Sequence, residues 1–240
     1  MKKMIFLLPM LVAGSFAVQA QDAATAPAND WMHVGFGIKA GYNNANLSID
    51  DDGTVKDNNA ISSFHAGVYL DLPLAPVFSI QPGLMISGKG SKYTVGDKES
   101  PNWYEAKTNP IYLELPVNAV GKIPLAPNTN IFIGAGPYLA MGIAGKNSVE
   151  GQVAGLSFSD DDNIKFGDDE PANGNNGSSN SGTIKRWDYG INFMGGVELY
   201  HFTLNVGYGL GLANIKPGSS NDNNDKYKNR VFSVSVGFLF

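Results

Sequence analysis

Histidines are scarce in this chain, with only His33, His65 and His201. A hydrolytic site needs one of them beside a nucleophile or water and within reach of a carboxylate. His65 has the best surroundings, with Ser62 and Ser63 close by in sequence. No motif ties it to a serine and an acid, so it reads as a polar residue of an interior, and no catalytic residue is assigned. The acidic runs Asp50-Asp51-Asp52, Asp160-Asp161-Asp162 and Asp168-Asp169-Glu170 supply the oxygen ligands that calcium takes. None has the EF-hand spacing, and Asp222-Asn223-Asn224-Asp225 lacks the following glycine. These read as solvated loops, and no metal ligand or cofactor is assigned. Without cysteine there are no thiolate sites and no disulfides. No Gly-rich phosphate loop is present.

What remains is a set of charges spaced through apolar segments: Lys39, His65, Asp71, Lys89, Glu114, Asp188 and Glu198. Each sits at an alternate position of a run in which apolar residues hold the other positions. Val34, Phe36, Ile38, Ala40 and Tyr42 share one face, against Gly35, Gly37, Lys39, Gly41 and Asn43. The same two-residue period places Phe64, Ala66, Val68 and Leu70 against His65 and Asp71, and Ile111, Leu113, Leu115 and Val117 against Tyr112 and Glu114. Trp187, Tyr189, Ile191 and Phe193 lie against Asp188 and Asn192, and Phe232, Val234, Val236, Phe238 and Phe240 close the chain. This is the period of a strand, and about eight such strands can be counted.

Connections alternate in length. Those at Pro73–Pro76, Pro124–Asn128 and Leu199–His201 are short; those at Ser48–Ile61, Gly96–Asn109, Lys146–Lys185 and Lys216–Asn229 are long. Short periplasmic turns and long external loops mark outer-membrane barrels. Aromatic residues gather at strand ends: Tyr42, Phe64, Trp187 and Tyr189 toward the long loops, and Trp31, Phe78, Tyr200, Phe202 and Phe240 toward the short turns. Two such girdles suit the lipid interfaces. The fold expected is an all-β, up-and-down antiparallel transmembrane barrel over residues 31–240. The seven charged and polar residues above would face its lumen, with Lys89 opposite Glu114 and Lys39 close enough to join their ion pair. Pro82, Pro116 and Pro137 fall inside strands, where proline lacks its ladder donor, so bulges are expected there. Val153–Phe158 has the pattern to extend a strand beyond the membrane.

Residues 1–20 have the form of a signal peptide: Lys2-Lys3, an apolar run from Met4 to Val12, and Val18-Gln19-Ala20 before the cut. Residues 21–30 read as a flexible lead-in. Loss of Lys2 and Lys3 takes the formal charge from −5 to −7. A mildly acidic chain with no basic patch is a poor nucleic-acid binder.

Several segments resemble the PorT-like outer-membrane β-barrel family of Bacteroidetes. They are Gly37-Ile38-Lys39-Ala40-Gly41-Tyr42-Asn43, Ile80-Gln81-Pro82-Gly83-Leu84 with Gly88-Lys89-Gly90, Tyr112-Leu113-Glu114-Leu115-Pro116-Val117, Gly134-Ala135-Gly136-Pro137-Tyr138-Leu139, Asp188-Tyr189-Gly190, and the end from Asn229 to Phe240. The resemblance covers nearly the whole mature chain. It implies a small barrel of a Gram-negative outer membrane and makes the strand prolines part of the pattern. Gly83 stands where the family often carries an acid. The expected partners are outer-membrane lipids, the barrel assembly machinery during insertion, and a protein partner in an outer-membrane complex. The expected role is structural or interactive and non-catalytic. The alternatives are an accessory subunit of a secretion or assembly complex and a lipid-modifying enzyme. An apolar patch beyond the membrane band would favour the subunit; a hydroxyl and a carboxylate on His65 would favour the enzyme.

Overall fold

The computed structural model describes residues 33–51, 54–57, 59–167, 183–215 and 225–240. The expected signal peptide and lead-in, the girdle residue Trp31, Asp52, the run Asp168-Asp169-Glu170 and Asp222-Asn223-Asn224 lie outside them.

Period-two alternation demands extended backbone, whose N–H and C=O groups must be paired by neighbouring strands. Eight strands supply one another in chain order. They are β1 (Gly35–Asp51), β2 (Ile61–Ala75), β3 (Phe78–Gly88), β4 (Trp103–Ala126), β5 (Thr129–Val153), β6 (Trp187–Leu199), β7 (Phe202–Gly211) and β8 (Asp225–Leu239). Each pairs antiparallel with the next. The ring closes where β8 returns to β1, with Gly37 opposite Leu239 and Asp51 opposite Asp225. A closed ring leaves no sheet edge to the lipid, which cannot hydrogen-bond one.

The wall is sorted as the alternation requires. Phe36, Val68, Leu84, Leu115, Ile133, Phe193, Leu204 and Val236, one from each strand, are exposed on the outside. Asn43, His65, Ser87, Glu114, Tyr138, Asp188, Asn205 and Ser235, again one from each, are buried inside. The described girdle residues Tyr42, Phe64, Trp187, Tyr189, Phe78, Tyr200, Phe202 and Phe240 are all exposed. At the short-turn end, Phe238 packs edge-on against Phe202 and Phe240, with ring centroids 5.1 and 4.9 Å apart, and Phe240 meets Phe36 across the closing seam at 5.9 Å. Two of the turns there use left-handed residues, Asn128 and Tyr200, each with φ of 56°.

Two expectations are corrected. None of the four long connections is loop throughout: β1 runs to Asp51 and pairs with the short strand Thr54–Asp57, β4 starts at Trp103, β5 runs to Val153 before the short strand Leu156–Asn163 turns back along it, and β8 starts at Asp225. β4 and β5 are therefore 24 and 25 residues long, more than twice the ten or so that cross a bilayer. Their upper halves are rich in charge and so read as loop, but those charges pair across one face of a sheet that continues above the membrane. The run Asp160-Asp161-Asp162 accordingly lies in a strand, where it is exposed.

Bulges at the three prolines are absent. Ladder register is unchanged from Leu72–Ile80 to Tyr69–Gly83, from Pro82–Val117 to Met85–Glu114, and from Pro116–Tyr138 to Ala119–Ala135. The missing donors are absorbed by a few unpaired ladder positions beside each proline. Register shifts occur elsewhere, at Pro73/Ala75, Ile111/Tyr112 and Pro124/Ala126.

The mouth at the long-connection end is closed by an apolar cap of Leu47, Ile164, Ile184, Ala213 and Ile215, with Phe166 and Tyr227 packed against it. Lys165–Phe166 and Thr183–Ile184 form a small parallel pair that carries part of it. The Phe166 ring lies on Gly142, where any Cβ would collide with it.

Candidate functional site

Inside the barrel the charged residues form two clusters at different depths. In the upper one Lys89 Nζ lies 2.9 Å from Glu114 Oε2 and 3.0 Å from Asp188 Oδ2. The Tyr138 hydroxyl and Asn229 Nδ2 also donate to Asp188 Oδ2, at 3.2 and 2.9 Å. Asn192 Nδ2 donates to Glu114 Oε1 at 2.9 Å. The ammonium sits 4.0 Å from the centroid of the Tyr138 ring, a cation–π contact. A desolvated ion pair requires this density of partners, because either charge alone is costly in a poorly hydrated interior.

Lys89 does not stand opposite Glu114 in the ladder, as the sequence suggested. Glu114 pairs with Met85, and the Lys89 N–H donates to Pro110 O at 3.0 Å. The ladder continues upward through Val95 opposite Tyr104, which puts the hairpin turn earlier than the sequence centred it. The long lysine side chain covers the difference.

Lys39 does not join the pair. Among the described residues, no carboxylate lies within ion-pairing distance of it. Glu114 has already committed one oxygen to Lys89 and the other to Asn192. Lys39 instead borders a cavity of about 80 Å³ together with His65, Asn118, Asn192 and Ser235. Such a space holds a few waters, not a permeating solute.

The lower cluster centres on Lys122, which the sequence reading missed. Its Nζ lies 2.6 Å from Asp71 Oδ2 and 3.2 Å from Glu198 Oε2. Gln81 and Asn130 donate to the remaining oxygens of Asp71 and Glu198 at 3.1 and 2.8 Å. Counting on by twos from Glu114 and Asn118 reaches Lys122, so the signal was present. Its nearness to the short turn at Pro124 hid it.

His65 is held between β1 and β8. Nδ1 lies 2.7 Å from Asn43 Oδ1, and Nε2 lies 3.0 Å from Ser235 Oγ. Asn43 Nδ2 donates to Phe64 O, Ser87 Oγ and Gly88 O, which turns its oxygen toward the ring. His65 thus has a hydroxyl in reach and an amide where a triad would place an acid. It lies buried in the lumen, not at the rim.

Above the cap end, the upper halves of β4 and β5 join Ser91–Val95 and Leu156–Asn163 in a four-stranded arm. On one face Glu105 is buried beneath Lys98 and Lys107, each with Nζ 2.9 Å from Oε1, while Thr94 Oγ1 donates to Oε2 at 3.1 Å. Burial pushes the Glu105 carboxyl up, but the hydrogen bonds from Lys98, Lys107 and Thr94 outweigh it and hold it down to about 2. On the opposite face Val95, Tyr104, Gly151 and Phe158 stand in one row across the strands, and Tyr93, Ala106, Val149 and Asp160 in the next. This cross-strand register, invisible while the segments read as loops, makes the arm two-faced.

A closed antiparallel ring with an apolar wall and a lumen filled by ion pairs defines an outer-membrane β-barrel. The sequence agrees: residues 19–216 match the family described as Outer membrane protein beta-barrel domain, and the chain belongs to that family. Its place is the outer membrane. Three solved structures are similar in fold. Ail, the attachment invasion locus protein of Yersinia pestis, is 13% identical with a TM-score of 0.39, over 87% of this chain and 100% of that one. OprG from Pseudomonas aeruginosa is 14% identical with a TM-score of 0.37, over 86% and 95%. The outer membrane protease OmpT from Escherichia coli is 11% identical with a TM-score of 0.37, over 91% and 100%. No curated protein sequence matches the chain.

Proposed function

We propose that this barrel is a non-catalytic interaction protein of the cell surface and that its external arm is the working part. One observation carries the reading: the arm rises beyond the apolar band and leaves Tyr93, Val95, Val153, Leu156 and Phe158 exposed on a single face. Lipid does not reach that height, and a face of this kind marks a protein contact. The lumen supports the same reading. It is capped by apolar side chains at the external mouth and crossed by two ion-pair clusters, so solute passage is a poor use for it.

The same patch favours a narrower version, in which the barrel is an accessory subunit of an outer-membrane complex. The motifs from Gly37 to Asn43 and from Tyr112 to Val117 support membership of the PorT-like group of Bacteroidetes. An enzymatic role has less support, because among the described residues His65 has no carboxylate partner in hydrogen-bond reach.

The test is a photo-crosslinking amino acid placed at Leu156 in living cells, with Ile133 on the lipid-facing wall as control. A discrete protein adduct at Leu156 and none at Ile133 is expected. Absence of any adduct at Leu156 would overturn the interaction reading. An adduct that co-purifies in stoichiometric amounts would make the protein a subunit.

A further inference from the structure

The arm also has chemistry that narrows what it receives. We infer that it takes up an extended, basic and apolar polypeptide segment, added as a strand beside Leu156–Asn163. This rests on the reading of the arm as the interacting part and names its partner's chemistry.

Three features on the arm lead there. First, its apolar face is built, not incidental. Tyr93, Val95, Tyr104, Val153, Leu156 and Phe158 fall on that face by cross-strand register, and Leu156 is 78% exposed. On the other face Glu105 is paired with Lys98 and Lys107, and Lys107 also with Glu150. The arm is therefore held with its apolar side outward.

Second, the arm has an open edge. Leu156–Asn163 pairs with β5 on one side, and among the described residues no strand pairs with the other. Open edges with free N–H and C=O groups accept strands from other chains.

Third, this edge is charged with one sign. Asp160, Asp161 and Asp162 are exposed, and no lysine or arginine of the described residues lies in ion-pair distance of them. Three unneutralised acids guard the edge against indiscriminate pairing and repel acidic surfaces, including the phosphates of surface lipid. They select a strand that brings positive charge. Alternation sets its pattern: Leu156 and Phe158 share the apolar face with Asp160 and Asp162. An antiparallel partner therefore presents two basic residues at alternate positions, followed by two apolar ones at alternate positions.

The probe is a fluorescent eight-residue peptide, Lys-Thr-Lys-Thr-Phe-Thr-Val-Thr, with a twin carrying Glu for Lys. Binding to the full-length barrel in neutral phosphatidylcholine nanodiscs is followed by anisotropy. The Lys peptide is expected to bind about tenfold more tightly than its twin, the difference that a few exposed ion pairs supply. The D160N/D161N/D162N variant should lose that preference. F158S should weaken both peptides while leaving the electrophoretic mobility of the folded barrel unchanged. Equal binding of the twins, or no binding, would overturn the basic-strand assignment. So would a barrel that is already dimeric through Leu156 and Phe158, since the face would then belong to a second copy. If crosslinks at Leu156 in cells persist while the peptides fail, the interaction reading stands and only the partner's chemistry falls.

Discussion

Lys89, just past the end of β3, and Asp188 on β6 meet at 3.0 Å across the lumen, although β3 and β6 are not neighbours in the ring. Their contact spans β4 and β5, so it braces the cross-section where the apolar cap begins. Asp188 is fully buried and also receives Tyr138 and Asn229. Asp188→Ala is expected to cost about 1–3 kcal/mol: Glu114 still pairs with Lys89, and the loss falls on the buried donors of Tyr138 and Asn229, which are left without an acceptor. Asp188→Asn keeps the shape and should cost less. Urea titration of the refolded barrel, read by the mobility of folded and unfolded bands, measures both. A loss below about 1 kcal/mol for Asp188→Ala would mean that the lumen is wet enough to solvate those donors.

How far the sequence could be read followed from what each signal depends on. Strand faces depend on a two-residue period, and in the membrane band the period is unambiguous: Phe36, Ile38 and Tyr42 turned out exposed and Asn43 buried. Hairpin register depends on where a turn is centred, which the 96–109 stretch did not reveal. Lys89 was therefore placed opposite Glu114 when Met85 stands there. The arm was missed for the same reason. Glu105, Lys107 and Glu150 look like solvated loop charges until their strands are aligned, and only the alignment puts them on one face. Prolines misled in the other direction, because a ladder can skip a few pairs without shifting register.

Asn43 sets the proton on the Nδ1 side of the His65 ring, while Ser235 on the other side gives its hydroxyl proton to Asn205 Oδ1 at 2.8 Å. Asn43 gives its amide protons to two carbonyls and Ser87, so only its oxygen faces His65 Nδ1 at 2.7 Å. The ring must then carry a proton on Nδ1. Nitrogen chemical shifts of labelled His65 in the folded barrel should show that form, and a ring protonated on Nε2 alone would refute Asn43 as its anchor. Asn43→Ala should cost about 1–3 kcal/mol by stripping a buried donor of its acceptor.

Glu105 makes the arm's order depend on acid. Its carboxyl is lowered to about 2 in the folded arm, from an ordinary value of 4.5. A depressed carboxylate stabilises the fold fully above its ordinary value and loses that contribution as pH falls toward the folded one. Order in the arm should hold from neutral pH to about 4.5 and decline between there and about 2. Trp103, whose Nε1 donates to Gln152 at 3.2 Å, is the natural fluorescent reporter. Glu105→Gln should abolish the decline over this window, and an unchanged profile would assign the acid response to other groups.

The contact of Phe166 with Gly142 predicts how the external mouth is sealed. Gly142 leaves room for the ring only because it has no Cβ, and Phe166 in turn packs against the cap of Leu47, Ile164, Ile184, Ala213 and Ile215. Gly142→Leu should push Phe166 out and open a path to the lumen below. The chain has no cysteine, so a single Ser87→Cys reports on that path without background; Ser87 is buried inside the barrel. A membrane-impermeant maleimide added to whole cells should label Ser87→Cys slowly and the Gly142→Leu/Ser87→Cys pair at least about tenfold faster, since removing a packed aromatic from a cap is worth more than 1.4 kcal/mol. Leu156→Cys on the exposed arm should label quickly with or without the Gly142 change, which controls for surface access. Equal rates for Ser87→Cys in both backgrounds would show that the apolar cap does not control entry to the lumen.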